Sequence, residues 1–196
     1  IIINDAEIDN TSEIIWRVKK FYSTLYKRQS SKTEKECLEY LQNINIPQLT
    51  QIDSASCEGM ITVKDCWDTL QLMKNGKSPG NDGLTKEFYI CFFKEISKYL
   101  VESLNHSFET GQLSTSQRQA LITLIEKKDK DKRLIKNWRP ISLINVDAKI
   151  LSKVLSTRIK KVLSKIIHCN QTAYVNGRYI GESIRLLNDI LLMRMI

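Results

Sequence analysis

The sequence is poor in the residues that build metal centres and disulfide frameworks. It has two histidines, His106 and His168, and its five cysteines (Cys37, Cys57, Cys66, Cys91, Cys169) never fall as C-x-x-C. Zinc-ligand spacing is therefore missing, which excludes finger- and ribbon-type sites. An odd, scattered set of thiols in 196 residues points to reduced cysteines inside a cell, and burial as small apolar groups is their ordinary role. Three prolines and seven glycines are too few for a collagen-like or low-complexity chain. No apolar run approaches the roughly 20 residues that cross a bilayer, so no membrane partner is expected. The opening "IIINDAEID" lacks the basic region and apolar core of a signal peptide. It also lacks an initiator Met, and the closing "LLMRMI" is not tail-like, so both ends are expected to be cut from something longer.

What is present is an ordinary globular composition, 42% apolar and 27% charged, with a net charge of +8. The charge is unevenly placed. Residues 1–60 hold 7 Lys/Arg against 9 Asp/Glu, and residues 61–196 hold 23 against 13. Lys127 to Lys161 alone holds 12 against 3. A focused basic stretch favours a polyanion as partner, although a solvated basic face without a ligand has the same composition.

Most of the chain reads as helix. Asn10 and Glu13 have capping-box spacing ahead of Ile14, Ile15, Val18, Phe21, Tyr22, Leu25 and Tyr26, which recur at helical intervals. Thr33 and Glu36 open a shorter helix that stops before Pro47, and residues 44–60 read as a connector. Thr62 with Asp65 starts another helix, which Asn75-Gly76 ends. The loop "GKSPGNDGLT" follows, and Thr85 then begins one long helix closed by Gly111. Its aromatics (Phe88, Tyr89, Phe92, Phe93, Tyr99, Phe108) are expected to pack a core. Further on, "DAKILSKVLSTRIKKVLSKII" is amphipathic, with an apolar face through Ile150, Leu151, Val154, Leu155, Ile159, Val162, Leu163 and Ile166. Lys149, Lys153, Arg158, Lys160, Lys161 and Lys165 lie largely on its other face. A last helix covers about Gly181 to Met195.

Two β-type runs interrupt the helices, Leu121 to Ile125 and Pro140 to Ile144. Pro140 cannot donate to a ladder, so it fits a strand start or an edge. Between them, Lys127 to Trp138 are twelve mostly charged residues, long for a hairpin loop. If the runs pair antiparallel, Lys127, Lys128, Lys130, Lys132, Arg133 and Lys136 project from the tip, with Arg139 at the base of the returning strand. Like charges at such density repel one another, and an arriving anion relieves the repulsion. Lysine meets a phosphate as a mobile point charge, arginine as a planar fork.

"KSPGNDGLTKEFY", "LITLIEKKDK", "NWRPISLINVDAKILSKVLSTRIKKVL" and "NQTAYVNGR" stand in this order. Together they closely resemble the reverse transcriptase of non-LTR retrotransposons, the long interspersed element type. The resemblance covers at least Lys77 to Asp189 and extends more weakly to "FYSTLY", Phe21 to Tyr26. It implies an α+β, mostly helical fold: an N-terminal helical extension over residues 1–60, then over 61–196 the fingers and start of the palm of a right-hand polymerase, with a short antiparallel β-hairpin. It further implies that Lys127 and Arg139, with Lys128 beside them, hold the triphosphate of an incoming deoxynucleotide. "SPGNDGLT" matches a loop lying against the RNA template, where Gly80 and Gly83 would permit close backbone approach and Lys77, Ser78 and Asn81 would meet phosphate. Gln171 and Arg178 are the polar residues carried over, as further template contacts, from the motif before the palm. Asn137 and Trp138 match residues that brace the turn, although plain packing is the favoured reading of Trp138, and Asp82 and Thr85 are expected to serve the loop and a helix cap.

The chain departs from the family at Glu126, where Pro is frequent, and at Ala173-Tyr174, where a Gly-aromatic pair is frequent. Glu126 places an anion beside the tip. The implied partners are an RNA template, a DNA primer, a deoxynucleoside triphosphate and the remaining palm and thumb of the parent protein, inside the cell in nucleus or cytoplasm. No cofactor is expected in this chain, although Mg2+ is implied for the full-length enzyme, whose palm aspartates hold two metal ions. No aspartate here has that context, so this polypeptide alone is expected not to extend a primer. A non-catalytic RNA-binding module is the alternative, and a plain helical domain with a solvated basic face is a third reading.

Overall fold

The structure is a computed structural model that describes residues 2–3, 6–27, 32–42, 44–45 and 47–193. The chain divides into two compact units, each discontinuous in sequence: residues 1–44 with 120–143, and residues 45–119 with 144–196. These units do not follow the linear 1–60 and 61–196 regions of the family reading, because the hairpin belongs with the N-terminal helices.

In the first unit, strands β1 (Ile2–Ile3) and β2 (Ala6–Glu7) pair antiparallel with Ile2 opposite Glu7. Helix α1 (Thr11–Leu25) begins where the Asn10 side chain accepts from the Glu13 amide at 3.1 Å. Only that half of the expected box forms, because the Glu13 carboxylate turns instead to Arg17 at 3.0 Å. Helix α2 (Glu34–Gln42) has the whole box, Thr33 and Glu36 bonding each other's amides. Strands β3 (Ala120–Glu126) and β4 (Trp138–Ile144) form the expected antiparallel hairpin. Pro140 is the third residue of β4 rather than its first, which a two-stranded sheet tolerates because every strand has a free edge. The Tyr22 hydroxyl donates to the Trp138 carbonyl at 3.5 Å, joining α1 to the hairpin.

The second unit is all helical: α3 (Gln51–Cys57), α4 (Val63–Leu72), α5 (Lys86–Cys91), α6 (Phe93–Thr110), α7 (Thr115–Arg118), α8 (Val146–Lys160), α9 (Leu163–Ile166) and α10 (Ile180–Met193). Its core joins α4, α6 and α8 through Leu70, Leu104, Ile150 and Val154, with Cys66 and Tyr89 beside them. Apolar burial of this kind contributes about 25 cal/mol per Å2 removed from water. Helix α4 starts on the complete Thr62–Asp65 box.

Four expectations need correction. The connector read over 44–60 contains α3, capped by Thr50, whose hydroxyl oxygen accepts from the Asp53 amide at 3.2 Å. The long helix from Thr85 to Gly111 is two helices, broken at Phe92 (φ −102°, ψ 19°), while Gly111 closes the second with φ +65° as expected. The amphipathic helix after Asp147 likewise breaks after Lys160. Of the aromatics assigned to the core, Tyr89 is buried and Phe88 and Phe93 pack against it, but Phe92, Tyr99 and Phe108 are exposed. The expected end of the last helix at Met195 lies outside the described residues.

Candidate nucleic-acid interface

The hairpin tip, residues 127–137, is held by its own polar groups. The Lys127 amide donates to the Asn137 carbonyl at 2.9 Å, closing the ladder. Asn137 Nδ2 donates to the Asp131 carbonyl at 2.9 Å and Trp138 Nε1 to the Lys132 carbonyl at 2.8 Å, so both residues brace the turn. A short 3-10 turn, Ile135–Asn137, buries Ile135 beneath it. Asp129 takes φ +57° at the tip, a left-handed conformation that a short polar side chain tolerates.

These contacts sort the cations into two groups. Lys127 Nζ donates to the Lys136 carbonyl at 2.8 Å, Lys132 pairs with Glu126 at 2.7 Å, and Arg133 grips both oxygens of Asp131. The Arg133 guanidinium and amide hold the Asp131 carboxyl below its ordinary value. Lys128, Lys130, Lys136 and Arg139 are exposed, and among the described residues their charged groups meet no acceptor. The anion that Glu126 adds is therefore taken up by Lys132, leaving the outer cations unneutralised.

In the second unit, Lys77 and Ser78 are exposed in the glycine-containing loop. Gly80 is buried, and a Cβ there would collide with Ile144 and Asn145. Its close approach is thus to the chain's own backbone, where the family reading had placed a template. Asn145, 2% exposed, fastens this loop: Oδ1 accepts from the Asp82 amide at 3.4 Å while Nδ2 donates to the Ser116 carbonyl at 3.2 Å. Asn81 is exposed and donates to Gln119 Oε1 at 3.4 Å. Gly83 is exposed at φ +72°, which suits glycine. The Asp82 carboxylate accepts from the Leu84 amide, a loop role as expected, and Thr85 precedes α5 without a side-chain cap bond.

Gln171 is exposed, but Arg178 is turned inward. Its guanidinium donates to the carbonyls of Ser164, Ile167, His168 and Gln171 at 2.6–3.2 Å, tying the end of α9 to the turn that follows it. The template role drawn for Arg178 from the family has to compete with that work. Arg158, read as part of a solvated face, also points inward, onto the Glu58, Gly59 and Met60 carbonyls and Asp65. Lys165, on the same face, pairs with Asp53 at 2.6 Å.

The structure also assembles a basic cavity, about 480 Å3 in volume, that sequence spacing alone does not reveal. Lys77 and Ser78 line it together with Lys74, Lys86, Lys149 and Lys153. Lys86 is 7% exposed and donates to the Met73 carbonyl and to Asn75 Oδ1, both at 2.6 Å. Lys149 Nζ donates to the Ser78 carbonyl at 3.3 Å. The four-residue spacing of Lys149 and Lys153 was a visible signal, but nothing in the sequence ties them to Lys74.

Among the described residues no three His, Cys, Asp or Glu side chains gather as metal ligands. No described helix is long and apolar enough to cross a membrane.

No family model matches the chain. It is similar to the transposon TX1 uncharacterized 149 kDa protein of Xenopus laevis, 37% identical over 175 residues. The match takes in 89% of this chain and 13% of that protein, so the chain spans only a small part of its relative's length.

Proposed function

We propose that this chain is a segment of the RNA-directed DNA polymerase of a non-LTR retrotransposon. Its role is to bind the template RNA and the triphosphate of the incoming nucleotide for a larger catalytic protein that works inside the cell. The observation that carries this reading is the division of the hairpin cations. Lys127, Lys132 and Arg133 are engaged within the tip, whereas Lys128, Lys130, Lys136 and Arg139 stand unneutralised on a braced turn. A scaffold that holds like charges outward fits a polyanion. The similarity to a transposon protein supports the same reading, as does the series of four motifs.

Salt-dependent binding of RNA by the 196-residue chain is the test. Every phosphate that the protein neutralises on a single strand adds about 0.7 to the slope of log K against log salt. Replacing Lys128, Lys130 and Lys136 by Gln is expected to weaken binding with little base preference and to flatten that slope by up to about two units. An unchanged slope removes the hairpin from the interface. Arg139→Ala is expected to weaken nucleotide use most, measured in a protein that carries the catalytic palm. If Arg139→Ala leaves nucleotide use intact, Arg139 does not hold the triphosphate; a palm-bearing protein that binds RNA but extends no primer makes the chain a non-catalytic RNA-binding module.

A further inference from the structure

The lysine-lined cavity of the second unit joins two chemistries. Its floor is aliphatic, made by Leu72, Met73 and Val146, and its rim is cationic, made by Lys74, Lys77, Lys149 and Lys153. Among the described residues no carboxylate lines it. The lysine stems extend the apolar wall while their ammonium groups stay wet. Lys86 adds an interior charge. Both of its acceptors are neutral, and among the described residues it has no ion pair. An ammonium has three donors, so one N–H remains for a further acceptor. The Glu87 carboxylate acts on Lys86 only through space, so an anion within hydrogen-bond reach would offset more of the cost of burying the charge.

A ligand suited to this cavity is an anion with a flat, apolar body. A bare phosphate would leave the floor in water, and a neutral apolar molecule would leave the rim lysines repelling one another. The volume of about 480 Å3 falls within the roughly 300–1,000 Å3 of small-ligand sites. That suits one nucleotide and excludes a duplex, whose bases are paired and stacked. Resting on the nucleic-acid reading above, the geometry points to a pocket for one unpaired nucleotide of a single strand. The base lies on Leu72 and Val146, and its phosphates meet Lys74, Lys77 and Lys153. Lys149, bonded to the Ser78 carbonyl, holds the loop that frames the opening. An acidic peptide presenting one apolar side chain is the competing occupant. A nucleic-acid strand is favoured because five lysines line the cavity, a charge that the successive phosphates of a strand match and one peptide carboxylate does not.

The experiment measures fluorescence anisotropy of the 196-residue chain with three probes: a short single-stranded RNA, an abasic strand with the same number of phosphates, and a blunt RNA duplex. The base-bearing strand is expected to bind at least about fivefold tighter than the abasic one, the effect of covering about 40 Å2 of apolar base surface. Leu72→Ser is expected to abolish most of that preference while leaving abasic binding unchanged. Leu72 is 67% exposed, so this variant keeps the core. Lys77→Gln combined with Lys153→Gln is expected to weaken both strands. Equal binding of the two strands, or a preference that survives Leu72→Ser, overturns the pocket while salt-dependent RNA binding leaves the broader reading standing. A wild-type chain that binds no RNA overturns both. An acidic peptide that binds tighter than the strand, through Leu72, overturns the nucleotide assignment in favour of a peptide groove.

Discussion

Gly80 lies so close to Asn145 that no side chain fits between them; a Cβ built there would also stand 2.6 Å from the Ile144 carbonyl carbon. Those neighbours are backbone and a side chain already committed to two hydrogen bonds, so they cannot withdraw cheaply. Gly80→Ala is expected to cost about 1–3 kcal/mol of stability by overpacking. Gly83 has open space around it and a positive φ, so Gly83→Ala is expected to cost only the left-handed penalty, about 1–2 kcal/mol. Urea unfolding of both variants separates the two causes. Gly80→Ala should also disturb the Asp82 amide that Asn145 holds, and Gly83→Ala should leave it in place.

Arg158 and Asp65 make the second prediction, one of pH dependence. Their 3.1 Å pair leaves the Arg158 side chain 13% exposed. Burial pushes the Asp65 carboxyl upward, but the Thr62 amide and hydroxyl and the Arg158 guanidinium outweigh it and hold it below its ordinary 3.8. A carboxyl depressed in the folded chain adds stability that is complete above its unfolded value. That stability is lost as pH falls through the folded value. Asp65→Asn should therefore destabilise the chain at neutral pH, and the gap to wild type should close below about pH 4. A gap that stays constant down to strong acid would show that the charge at Asp65 is not what stabilises the contact. Arg158→Ala, which also orphans three carbonyls, is expected to cost more than Asp65→Asn, about 2–4 kcal/mol.

The third prediction concerns the brace of the hairpin. Trp138→Phe keeps an aromatic ring and removes the one N–H that reaches the Lys132 carbonyl. A hydrogen bond of this type contributes about 0.5–1.5 kcal/mol net, so β3 and β4 should persist while the tip opens more often. Trypsin should cut after Lys130 and Lys132 several-fold faster in the variant, with the circular dichroism spectrum unchanged. Asn137→Ala, which releases the Asp131 carbonyl, should do the same. A cutting rate equal to wild type in both would mean that the 3-10 turn and buried Ile135 hold the tip unaided.

Local chemistry made part of the fold legible. Thr62 with Asp65 and Thr33 with Glu36 are three residues apart, and both pairs form in full. The hairpin showed as two apolar runs separated by charge. Thr50 and Asp53 carried the same signal for α3, but the apolar residues behind them are too few to show a period. The breaks at Phe92 and after Lys160 have neither Gly nor Pro, so nothing local announces them. Site residues divide along the same line. The exposure of Lys128, Lys130 and Arg139 follows from their place on a hairpin. The inward turn of Arg178, the burial of Gly80 and the meeting of Lys74 with Lys149 depend on which segments the fold brings together, and residue type does not encode that.

The cysteines give the last prediction, because the structure ranks them. Cys37, Cys91 and Cys169 are exposed, Cys57 is half-buried with its Sγ 3.6 Å from the Arg158 carbonyl, and Cys66 has no exposed surface. Burial, helped by the neighbouring charge of Asp65, pushes the Cys66 thiol up to about 11. Thiolate is the reactive form, so at neutral pH Cys66 is both inaccessible and protonated. An aromatic disulfide reagent should modify the three exposed thiols quickly and Cys57 more slowly. Cys66 should react only at the rate of unfolding, accelerating with added urea as the other four do not. Rapid reaction of all five in native buffer would mean that α4 does not pack against α6 and α8 as described, and the core around Leu70 and Leu104 would have to be redrawn.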